Sequence, residues 1–562
     1  MMEKRVIIFL VLSLTIIFGY EYLLKELGLL PEQPVSTESA PSSASQPVEP
    51  PPSTVSAKNT SSATTDPSVG GSNERTPSRD VAKSAAEIIE VDTALYHAKF
   101  SSRGAVLTNW ELKRYRGNSD EHPAVELVRQ GGKFSGPLTV MTDDAELTKE
   151  FSEAVYRVEK GLTTLDDTQP TGHVTFVYES PTAGVRIEKQ LTFHAHSYLV
   201  DVAVKTTGLT GSVKVGTGTN FGIVEWGEGF IGSVGPASRV DDKIEKEVPD
   251  SEVERKGAVK WGGLQDKYFM SVLIPKEGSG VVARKEGDKL VSTAVRMPVD
   301  PAGSPIAFQL FAGPKEYDTL QSLGIGLEDT IDFGWFLFGS WDTVRAVAKP
   351  IFSVLRSIND YTHNYGVTII ILTVGIKLLF IPLQYKSYKS MKQMQEIQPK
   401  VLALQEKFKD DRERLNKELI KVYRDNKVNP VGGCLPMVLQ MPVFVALFNI
   451  LYMTIDLRQA PLGLWITDLS VQDPYYILPV IMGVSMLIMQ KIQPTTMDPA
   501  QAKIMLLLPA LMTFLFINFP AGLVLYWLTN NVLSILQQLA TDRFIFRNRR
   551  PQPASEVVEK SS

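Results

Sequence analysis

The chain has 562 residues, of which 44% are hydrophobic and 21% charged, and its formal net charge is −4. Because acidic and basic residues nearly balance, the charge does not favour a nucleic-acid-binding protein. The single cysteine excludes an intrachain disulfide, and the histidines lack metal-ligand spacing apart from the weak pair His194 and His196. We therefore expect no metal and no cofactor. These averages combine a polar N-terminal half with an apolar C-terminal half.

Residues 1–25 predict an uncleaved membrane anchor. The basic pair Lys4-Arg5 precedes an apolar run from Val6 to Tyr20, and no cleavage site of small residues follows it. The positive-inside rule places this N-terminus in the cytoplasm. Residues 26–83 are rich in proline, serine and threonine and contain few large apolar residues, so they predict a disordered tether.

Residues 84–332 predict a large β-sandwich. Apolar residues alternate with polar ones from Val185 to Phe193 and from Tyr198 to Val204, which predicts an antiparallel hairpin with one buried face. Further strands are expected at His173–Tyr178, Tyr268–Ile274 and Ile306–Phe311. The segment shows no nucleophile elbow, phosphate-binding loop or paired carboxylates, so we expect no enzyme.

The hydrophobic period becomes helical over residues 333–361. An apolar and aromatic face opposes a basic one, and Trp335 and Trp341 suit the interfacial belt of a membrane. These features predict an amphipathic helix lying in the membrane surface. The alternative is a buried helix of the β-sandwich domain.

Residues 362–385 predict the second membrane span. The eighteen residues from Gly366 to Leu383 are apolar except for two threonines and Lys377, and at ~1.5 Å each they cover roughly 27 Å, the hydrocarbon thickness of a bilayer. A cation near mid-depth costs ~2.5–3.5 kcal/mol on insertion scales. Either the Lys377 ammonium snorkels to the interface or it lies in an aqueous cavity. A depth of roughly 10 Å or more favours the cavity.

Residues 386–433 predict a charged helical hairpin with its turn near Lys409-Asp410-Asp411. From Lys386 to Lys427 it carries twelve Lys and Arg against seven Asp and Glu, which favours the cytoplasmic side. Residues 434–540 contain four further predicted spans, and the short loops between them agree in charge with a six-span topology that has both termini inside. A basic cytoplasmic tail occupies 541–562. The four spans are 434–455, 475–490, 504–517 and 523–539.

Several polar side chains lie within the predicted spans. Each by itself can join two helices through a hydrogen bond, but together with Lys377 they favour a hydrophilic cavity among the helices. The spans offer no Asp or Glu to match Lys377, whereas an ion pump or proton relay would be expected to supply one. The polar candidates are Thr373, Gln440, Asn449, Gln490, Thr529, Asn530, Asn531 and Gln537.

Five motifs stand out in the C-terminal spans: Asn429-Pro-Val-Gly-Gly-Cys-Leu-Pro436, Gln440-Met-Pro442, Leu457-Arg-Gln-Ala-Pro461, Asp473-Pro-Tyr-Tyr-Ile-Leu-Pro479 and Phe519-Pro-Ala-Gly-Leu523. Together they closely resemble the YidC family of membrane protein insertases of Gram-negative bacteria. The resemblance covers nearly the whole chain and is looser over the β-sandwich, where Gly313-Pro314 and Phe333-Gly334-Trp335 also match.

The resemblance implies a polytopic α-helical membrane protein with six spans, a five-helix insertase core and a large periplasmic β-supersandwich. It also implies a positively charged groove that is open to the cytoplasm and to lipid and closed toward the periplasm. Such a protein inserts and folds nascent proteins of the bacterial inner membrane without a cofactor, alone or with the Sec translocon. Its expected partners are nascent membrane proteins, the ribosome, the Sec translocon and the lipid bilayer, with no direct nucleic-acid contact other than ribosomal RNA.

The family's functional residues map onto this sequence one at a time. The groove cation is usually arginine, five residues before the proline that ends the second span, and Lys377 stands at that distance from Pro382. The charge is kept, but the planar fork of a guanidinium is lost. Thr373 matches a substrate-contacting threonine. Tyr526 and Trp527 match an aromatic contact on the last span, with Trp527 where tyrosine is usual. Gln440, Asn449, Asn530 and Asn531 are expected to line the groove.

Two other functions compete with this one. A transporter or channel for a small anion would use Lys377 as its binding charge, but it predicts internal repeats and paired broken helices, neither of which is apparent. A periplasmic scaffold held by its spans would need only one anchor. The sequence therefore favours an insertase of the inner membrane.

Overall fold

The first half of the described chain forms strands and the second half forms helices. The structure, a computed structural model, describes residues 86–117, 123–128, 136–181, 183–226, 234–246, 248–336, 339–408, 411–428, 435–492 and 506–544. The predicted anchor (1–25) and tether (26–83), and the predicted tail beyond residue 544, lie outside these residues.

Strand-forming alternation produces the predicted β-rich region, which is called the β-domain below and spans residues 88–314. The strands in chain order, including a short pair beyond the β-domain, are β1 (Ile88–Asp92), β2 (Tyr96–Ser101), β3 (Val106–Arg116), β4 (Ala124–Glu126), β5 (Val140–Met141), β6 (Arg157–Lys160), β7 (Thr171–Glu179), β8 (Arg186–His194), β9 (Leu199–Thr207), β10 (Ser212–Thr219), β11 (Gly235–Val240), β12 (Lys243–Glu245), β13 (Val253–Lys256), β14 (Val259–Gln265), β15 (Phe269–Pro275), β16 (Gly280–Gly287), β17 (Leu290–Pro298), β18 (Ile306–Pro314), β19 (Trp335–Phe336) and β20 (Gly339–Ser340).

The predicted hairpin is confirmed. β8 and β9 pair antiparallel, with Phe193 opposite Val200. Their inward residues are fully buried, as a half-buried strand pair requires; they are Ile187, Leu191, Phe193, Val200, Val202 and Val204. The three other predicted strands are also confirmed, as β7, β15 and β18.

The strands form three sheets that share one core. A nine-stranded sheet has the order β12-β11-β14-β15-β18-β9-β8-β7-β6, a five-stranded sheet β13-β16-β17-β10-β5, and a four-stranded sheet β1-β2-β3-β4. Gly262 of β14 lies so close to the five-stranded sheet that a Cβ there would be 2.9 Å from Val281. On the other side of the core, Phe100 of β2 packs 5.5 Å from the ring of Phe193. The β-domain is thus a sandwich extended by a third sheet.

A buried lysine joins the three sheets. Lys189 of β8 donates from Nζ to the Ala105 carbonyl at 2.8 Å and to the Leu138 carbonyl at 2.7 Å. Ala105 lies in the β2–β3 connection and Leu138 leads into β5, so one side chain from the nine-stranded sheet reaches both other sheets. Burial of this ammonium lowers the pKa of Lys189 to about 7. The sequence contains no local signal for this contact.

The helices follow the predicted change of period, with two differences in their ends. They are α1 (Ala145–Glu153), α2 (Tyr317–Ser322), α3 (Asp342–Thr362), α4 (Tyr365–Lys407), α5 (Arg412–Asp425), α6 (Leu435–Met453), α7 (Ile477–Ile492), α8 (Leu508–Phe516) and α9 (Ala521–Phe544).

The predicted start of the amphipathic helix at residue 333 is wrong. Residues 333–341 precede α3 and include the strand pair β19–β20, because glycines at 334 and 339 disfavour a helix there. α3 buries Val344, Ala348, Phe352 and Leu355 against its neighbours. Trp341, placed on the apolar face from the sequence, is instead half exposed.

The second difference concerns Pro382, which was expected to end the second span. α4 runs through Pro382 and Pro399 for 43 residues, so the span and the first arm of the hairpin are one helix. A proline removes one N–H and kinks a helix without necessarily ending it, and membrane helices tolerate this. At ~1.5 Å per residue α4 is roughly 65 Å long, about twice the thickness of the hydrocarbon layer. α5 forms the return arm of the hairpin.

α4 is the single described helix that is both long and apolar enough to cross a membrane by itself. The four spans predicted within residues 434–540 overlap α6, α7, α8 and α9, whereas the predicted anchor lies outside the described residues. α8 has nine residues, which cover roughly 14 Å, about half of the hydrocarbon layer. Six crossings therefore stay a prediction.

A buried arginine holds the β-domain to the loop that follows α6. The guanidinium of Arg458 donates to the Arg116 carbonyl at 3.0 Å and lies 3.9 Å from the Glu225 carboxylate. It also lies 5.4 Å from the ring centre of Tyr268 and 5.5 Å from that of Phe269. Hydrogen bonds and cation–π contacts to one guanidinium thus connect three segments of the β-domain to the helices.

A lysine of the β-domain makes a second contact of this kind. Lys267 Nζ lies 3.9 Å from the ring centre of Tyr452, in the last turn of α6. Burial lowers the pKa of Lys267 to about 8. The end of the bundle that carries Tyr452 and Arg458 is called the β-domain end below, and the opposite end, where α4 continues toward α5, the hairpin end.

Lys189→Met should weaken the rise of stability with pH. The folded pKa of about 7 lies below the unfolded value of ~10.4. Between these values the unfolded chain binds more protons, so the free energy of unfolding rises with pH, by at most about 1.4 kcal/mol per pH unit from one group. Thermal midpoints of the full chain in detergent from pH 7 to 10 measure this slope. Lys285→Met, on the exposed side of β16, should leave it unchanged, and equal slopes in all three proteins would contradict the assignment.

Arg458→Ala should loosen the β-domain from the helices. The loss of charge-assisted hydrogen bonds of a buried group costs about 1.5–3 kcal/mol, so hydrogen exchange of the amides in residues 111–117 should accelerate at least tenfold. Gln459→Ala is the matched control, because Gln459 donates to the same Arg116 carbonyl at 2.9 Å from a more exposed position. Unchanged exchange in Arg458→Ala would show that other contacts hold the two parts together.

Candidate functional site

The predicted groove cation lies between two helices that are far apart in the sequence. Lys377 of α4 is 8% exposed, and its Nζ donates to Asn530 Oδ1 at 2.9 Å and to Ser534 Oγ at 2.8 Å. Both acceptors belong to α9 and are one helical turn apart, so they share a face. Asn530 was a predicted lining residue, whereas Ser534 was missed although its i,i+4 spacing from Asn530 was visible in the sequence.

The ammonium of Lys377 is held by neutral oxygens. In the described ranges no carboxylate lies within ion-pair distance of it. An ammonium has three N–H donors, and the two bonds to α9 use two of them. The positive charge is therefore hydrogen-bonded but not neutralised. Its direction into the bundle also argues against a side chain that snorkels to the membrane surface.

Thr373 lies one turn before Lys377 on the same buried side of α4. Its hydroxyl donates to the Ile369 carbonyl at 2.6 Å, so the donor is used within the helix. The hydroxyl oxygen still has lone-pair capacity for a further donor. The predicted substrate contact would therefore have to be made with a donor group of the substrate.

Tyr526 and Trp527 belong to an aromatic cluster near the first turn of α9. The Trp527 ring packs 5.0 Å from Phe444 of α6 and 4.7 Å from Phe516 of α8, and Tyr526 lies 6.2 Å from Phe444. Tyr526 precedes Asn530 by four residues, so it continues the helix face of Asn530 toward the β-domain end. The polar contact at Lys377 is thus covered by aromatic rings on that side.

Asn449 bonds a neighbouring backbone segment. It is completely buried on α6, and its Nδ2 donates to the Phe333 carbonyl at 2.9 Å. The amide thus holds the chain segment before α3, and its place among the groove-lining residues stays a prediction. An amide within an apolar span looks the same in the sequence whether it lines a cavity or bonds a neighbouring backbone. The sequence therefore could not distinguish these two positions.

The two other predicted lining residues have different positions. Asn531 is buried, and its Nδ2 donates to Ser485 Oγ of α7 at 3.0 Å, so it joins α9 to α7. Gln440 is partly buried on α6, and over the described part of the chain no hydrogen bond joins it to Lys377. Of the four predicted lining residues, Asn530 alone touches the lysine.

Two amides extend the polar contact toward the hairpin end. Gln384 follows Lys377 by seven residues, and Gln537 follows Asn530 by seven, so each continues its helix face. The Oε1 atoms of both are buried without a hydrogen-bond partner among the described residues. We call the group Thr373, Lys377, Gln384, Asn530, Ser534 and Gln537 the polar seam. A buried oxygen without a donor is costly, so the seam has capacity for a donor from outside the chain.

α4 and α9 stay side by side beyond the seam. Lys392 Nζ of α4 lies 3.7 Å from Asp542 Oδ1 of α9. Lys377 of α4 meets Asn530 of α9, and Lys392, further along α4, meets Asp542, further along α9. The two helices therefore run in the same direction, and they remain adjacent beyond the last residues of the seam.

The outward faces of the same helices are apolar. Leu379, two residues from Lys377, is 75% exposed, and large apolar side chains on the other helices are also uncovered. A soluble protein buries such residues, whereas a bilayer solvates them and excludes charge. The exposed set includes Leu378, Leu379, Ile381, Val480, Ile481, Val484, Leu511, Phe514, Val532, Leu536 and Leu539.

Two family models match the chain. The model of the YidC periplasmic domain matches residues 88–354, and that of the 60Kd inner membrane protein matches residues 357–548. A membrane protein insertase YidC from Geotalea daltonii is 38% identical over 554 residues, covering 96% of this chain and 98% of its own. The chain belongs to the YidC family.

Further relatives agree with this assignment. The membrane protein insertase YidC of Syntrophus aciditrophicus is 38% identical and covers 96% of this chain and 99% of its own. Among solved structures, the chain is similar to an active YidC insertase whose first transmembrane domain is resolved, with 19% identity, a TM-score of 0.35 and coverage of 80% of this chain and 91% of that one. The sequence relatives, which span nearly the whole chain, carry the assignment.

Membership of the YidC family has three consequences. The chain is a protein of the inner membrane, its β-domain is periplasmic, and it belongs among insertases and not among enzymes. The β-domain end of the bundle is therefore the periplasmic end. The polar seam lies in the segment matched as the 60Kd inner membrane protein.

A cysteine at position 377 should react from water. In a Cys434→Ser background, Lys377→Cys should be alkylated by a membrane-impermeant maleimide added from the cytoplasmic side, because the polar seam continues from Lys377 toward the hairpin end. Leu379→Cys is the matched control: its parent residue is far more exposed in the structure but faces the apolar side, where a maleimide in water cannot reach it. Labelling at 379 and not at 377 would reverse this assignment of faces. Labelling of 377 from the periplasm would indicate a channel.

Proposed function

We propose that this YidC-family chain inserts nascent inner-membrane proteins by passing their polar tails along the seam between α4 and α9. The observation that supports this most directly is the ammonium of Lys377, held by Asn530 and Ser534 inside a bundle with an apolar exterior. A cation in a low-dielectric site attracts an acidic or polar chain more strongly than the same cation in water.

The two ends of the seam suit movement from the cytoplasmic side. At the hairpin end, Gln384 and Gln537 offer buried oxygens that have no donor among the described residues. N–H groups of an incoming chain can serve as their partners. At the periplasmic end, the rings around Tyr526 and Trp527 fill the space between α6, α8 and α9. A tail would thus be received at one end and held short of the other.

Release of the apolar segment follows from the exterior of the same helices. Leu378 and Leu379 on α4 and Val532 and Leu536 on α9 face outward beside the seam. A substrate segment of ~20 apolar residues that moves along these faces enters lipid, and each Leu or Ile contributes a few tenths of a kcal/mol. No cofactor is needed for a step driven by this transfer.

The proposed topology has six spans with both termini in the cytoplasm, α3 in the membrane surface and the hairpin of α4 and α5 in the cytoplasm. The excess of basic residues in the hairpin supports its placement on the cytoplasmic side of the membrane. In this position the hairpin can meet ribosome-bound chains and cap the open end of the seam. We further propose that the protein works alone or beside the Sec translocon.

A transporter for a small anion is the competing function. It would also use the charge of Lys377, but it requires access to the site from both sides of the membrane in turn. The packing of Trp527 against Phe444 and Phe516 at the periplasmic end supports a groove that is closed on that side, which favours the insertase.

Charge at position 377 should decide the insertion of acidic tails. Lys377→Arg should insert substrates as well as the parent, because positive potential is kept. Lys377→Ala and Lys377→Glu should lose at least tenfold in insertion of a substrate with an acidic translocated tail and less with a neutral tail. Protease protection of newly made substrates in inverted vesicles measures both.

Two controls accompany this measurement. Lys386→Ala removes the same charge from an exposed position on α4, nine residues beyond Lys377, and should insert both substrates normally. Equal membrane levels of each variant show that folding is intact. A harmless Lys377→Ala at normal protein level would refute the role of this cation.

A further inference from the structure

The tip of the loop between α6 and α7 is an exposed leucine, Leu464, whose backbone is strained. Leu464 has a φ of 58° and is 92% exposed. It stands at the first central position of a tight turn, in which the Ile466 N–H donates to the Gly463 carbonyl at 3.1 Å. Positive φ at this position favours glycine, and a bulky residue there is a rare and costly choice.

Nothing inside the described protein accounts for a leucine at this point. With 92% of its surface uncovered, its side chain gains little from the described residues that could offset the strain. A strained, bulky, apolar residue at an exposed tip indicates that its stabilising contact lies outside the described residues.

The base of the turn fixes the tip beside two spans. Asn364, the N-cap of α4, donates to the Leu462 carbonyl at 3.3 Å, and Gly366 leaves room for the Leu462 side chain, since a Cβ at position 366 would overlap it. Trp465 Nε1 donates at 3.0 Å to Asp473 Oδ1, which also accepts from Tyr475 N just before α7. The tip is thus held where both helices begin.

Other exposed residues at this level match a membrane interface. Tyr361, in the last turn of α3, and Tyr475, just before α7, are largely exposed. Tyrosines with one polar tip collect at the boundary between headgroups and acyl chains. The first turns of α4 and α7 then continue the apolar exterior with Val367, Ile477 and Val480.

We infer that Leu464 is a lipid anchor that enters the headgroup–acyl boundary of the periplasmic leaflet beside the outer ends of α4 and α7. Burial of one leucine in that boundary offsets the backbone strain of the turn. The occupant is lipid because the tip is continuous with the lipid-facing sides of both helices and with the tyrosines at the same level. The inference rests on the proposed topology, which sets the leaflet.

Spin labels in liposomes test the contact directly. Leu464→Cys and Lys289→Cys are made separately in the full chain with Cys434→Ser, labelled with a nitroxide and reconstituted. Lys289 is the matched control, since it also has positive φ (54°) at an exposed hairpin tip but lies in the β-domain. The label at 464 should be reached by oxygen and shielded from a water-soluble nickel chelate at least threefold better than the label at 289. Equal access of nickel to both labels overturns the inference.

Two further measurements distinguish lipid from a second copy of the chain and from packing within the protein. Shielding at 464 should persist when the lipid-to-protein ratio is raised tenfold, and its loss would mean that a second copy covers the tip, which overturns the assignment to lipid. Leu464→Gly should leave the thermal midpoint in detergent unchanged or higher, because glycine adopts positive φ freely. A lower midpoint would show that the leucine packs within the protein and would also overturn it.

The leaflet that Leu464 enters is tested separately from its contact with lipid. In spheroplasts, an impermeant maleimide should label Lys289→Cys from outside. Failure of this labelling would refute the proposed topology, and with it the leaflet. Shielding of position 464 in liposomes does not depend on orientation, so it would still decide whether the tip enters lipid.

Discussion

The hydrogen bonds from Lys377 to Asn530 and Ser534 are the interaction on which the helical half depends. Lipid cannot solvate an ammonium at mid-depth, so α4 must place it against a polar face of another helix, and α9 supplies that face. On the opposite sides of the two helices, apolar side chains such as Leu379 and Leu536 face outward. The position of one charge therefore fixes which faces of α4 and α9 meet each other.

The ends of the seam differ because different partners cover them. At the periplasmic end, rings from α6, α8 and α9 pack together, and Arg458 joins the loop after α6 to the β-domain. At the hairpin end, the continuous helix α4 leaves the bundle, and the oxygens of Gln384 and Gln537 lack donors among the described residues. These differences support the proposal that a chain in need of hydrogen-bond partners is received at the hairpin end.

The core of the β-domain also contains a buried lysine that needs hydrogen-bond acceptors. Lys189 is a fully buried cation whose acceptors are two backbone carbonyls from two other sheets. In both halves of the protein a lysine bonded by neutral oxygens connects elements that are remote in the sequence. The physical reason is the same, since an ammonium taken from water must recover its hydrogen bonds from whatever the fold places nearby.

Local patterns in the sequence predicted the class of most described elements and four residues of the polar seam, which are Thr373, Lys377, Asn530 and Gln537. Alternation at period two identified β7, β8, β9, β15 and β18, and an isolated charge in an apolar run identified Lys377. The tertiary structure alone decided which side chains meet: Ser534 and Gln384 join the lysine's seam, Asn449 bonds the Phe333 carbonyl, and Lys189 spans three sheets. It also decided that α4 continues through Pro382. Periodicity reports which face of an element is apolar, whereas the partner of a polar side chain depends on packing between segments as much as 343 residues apart.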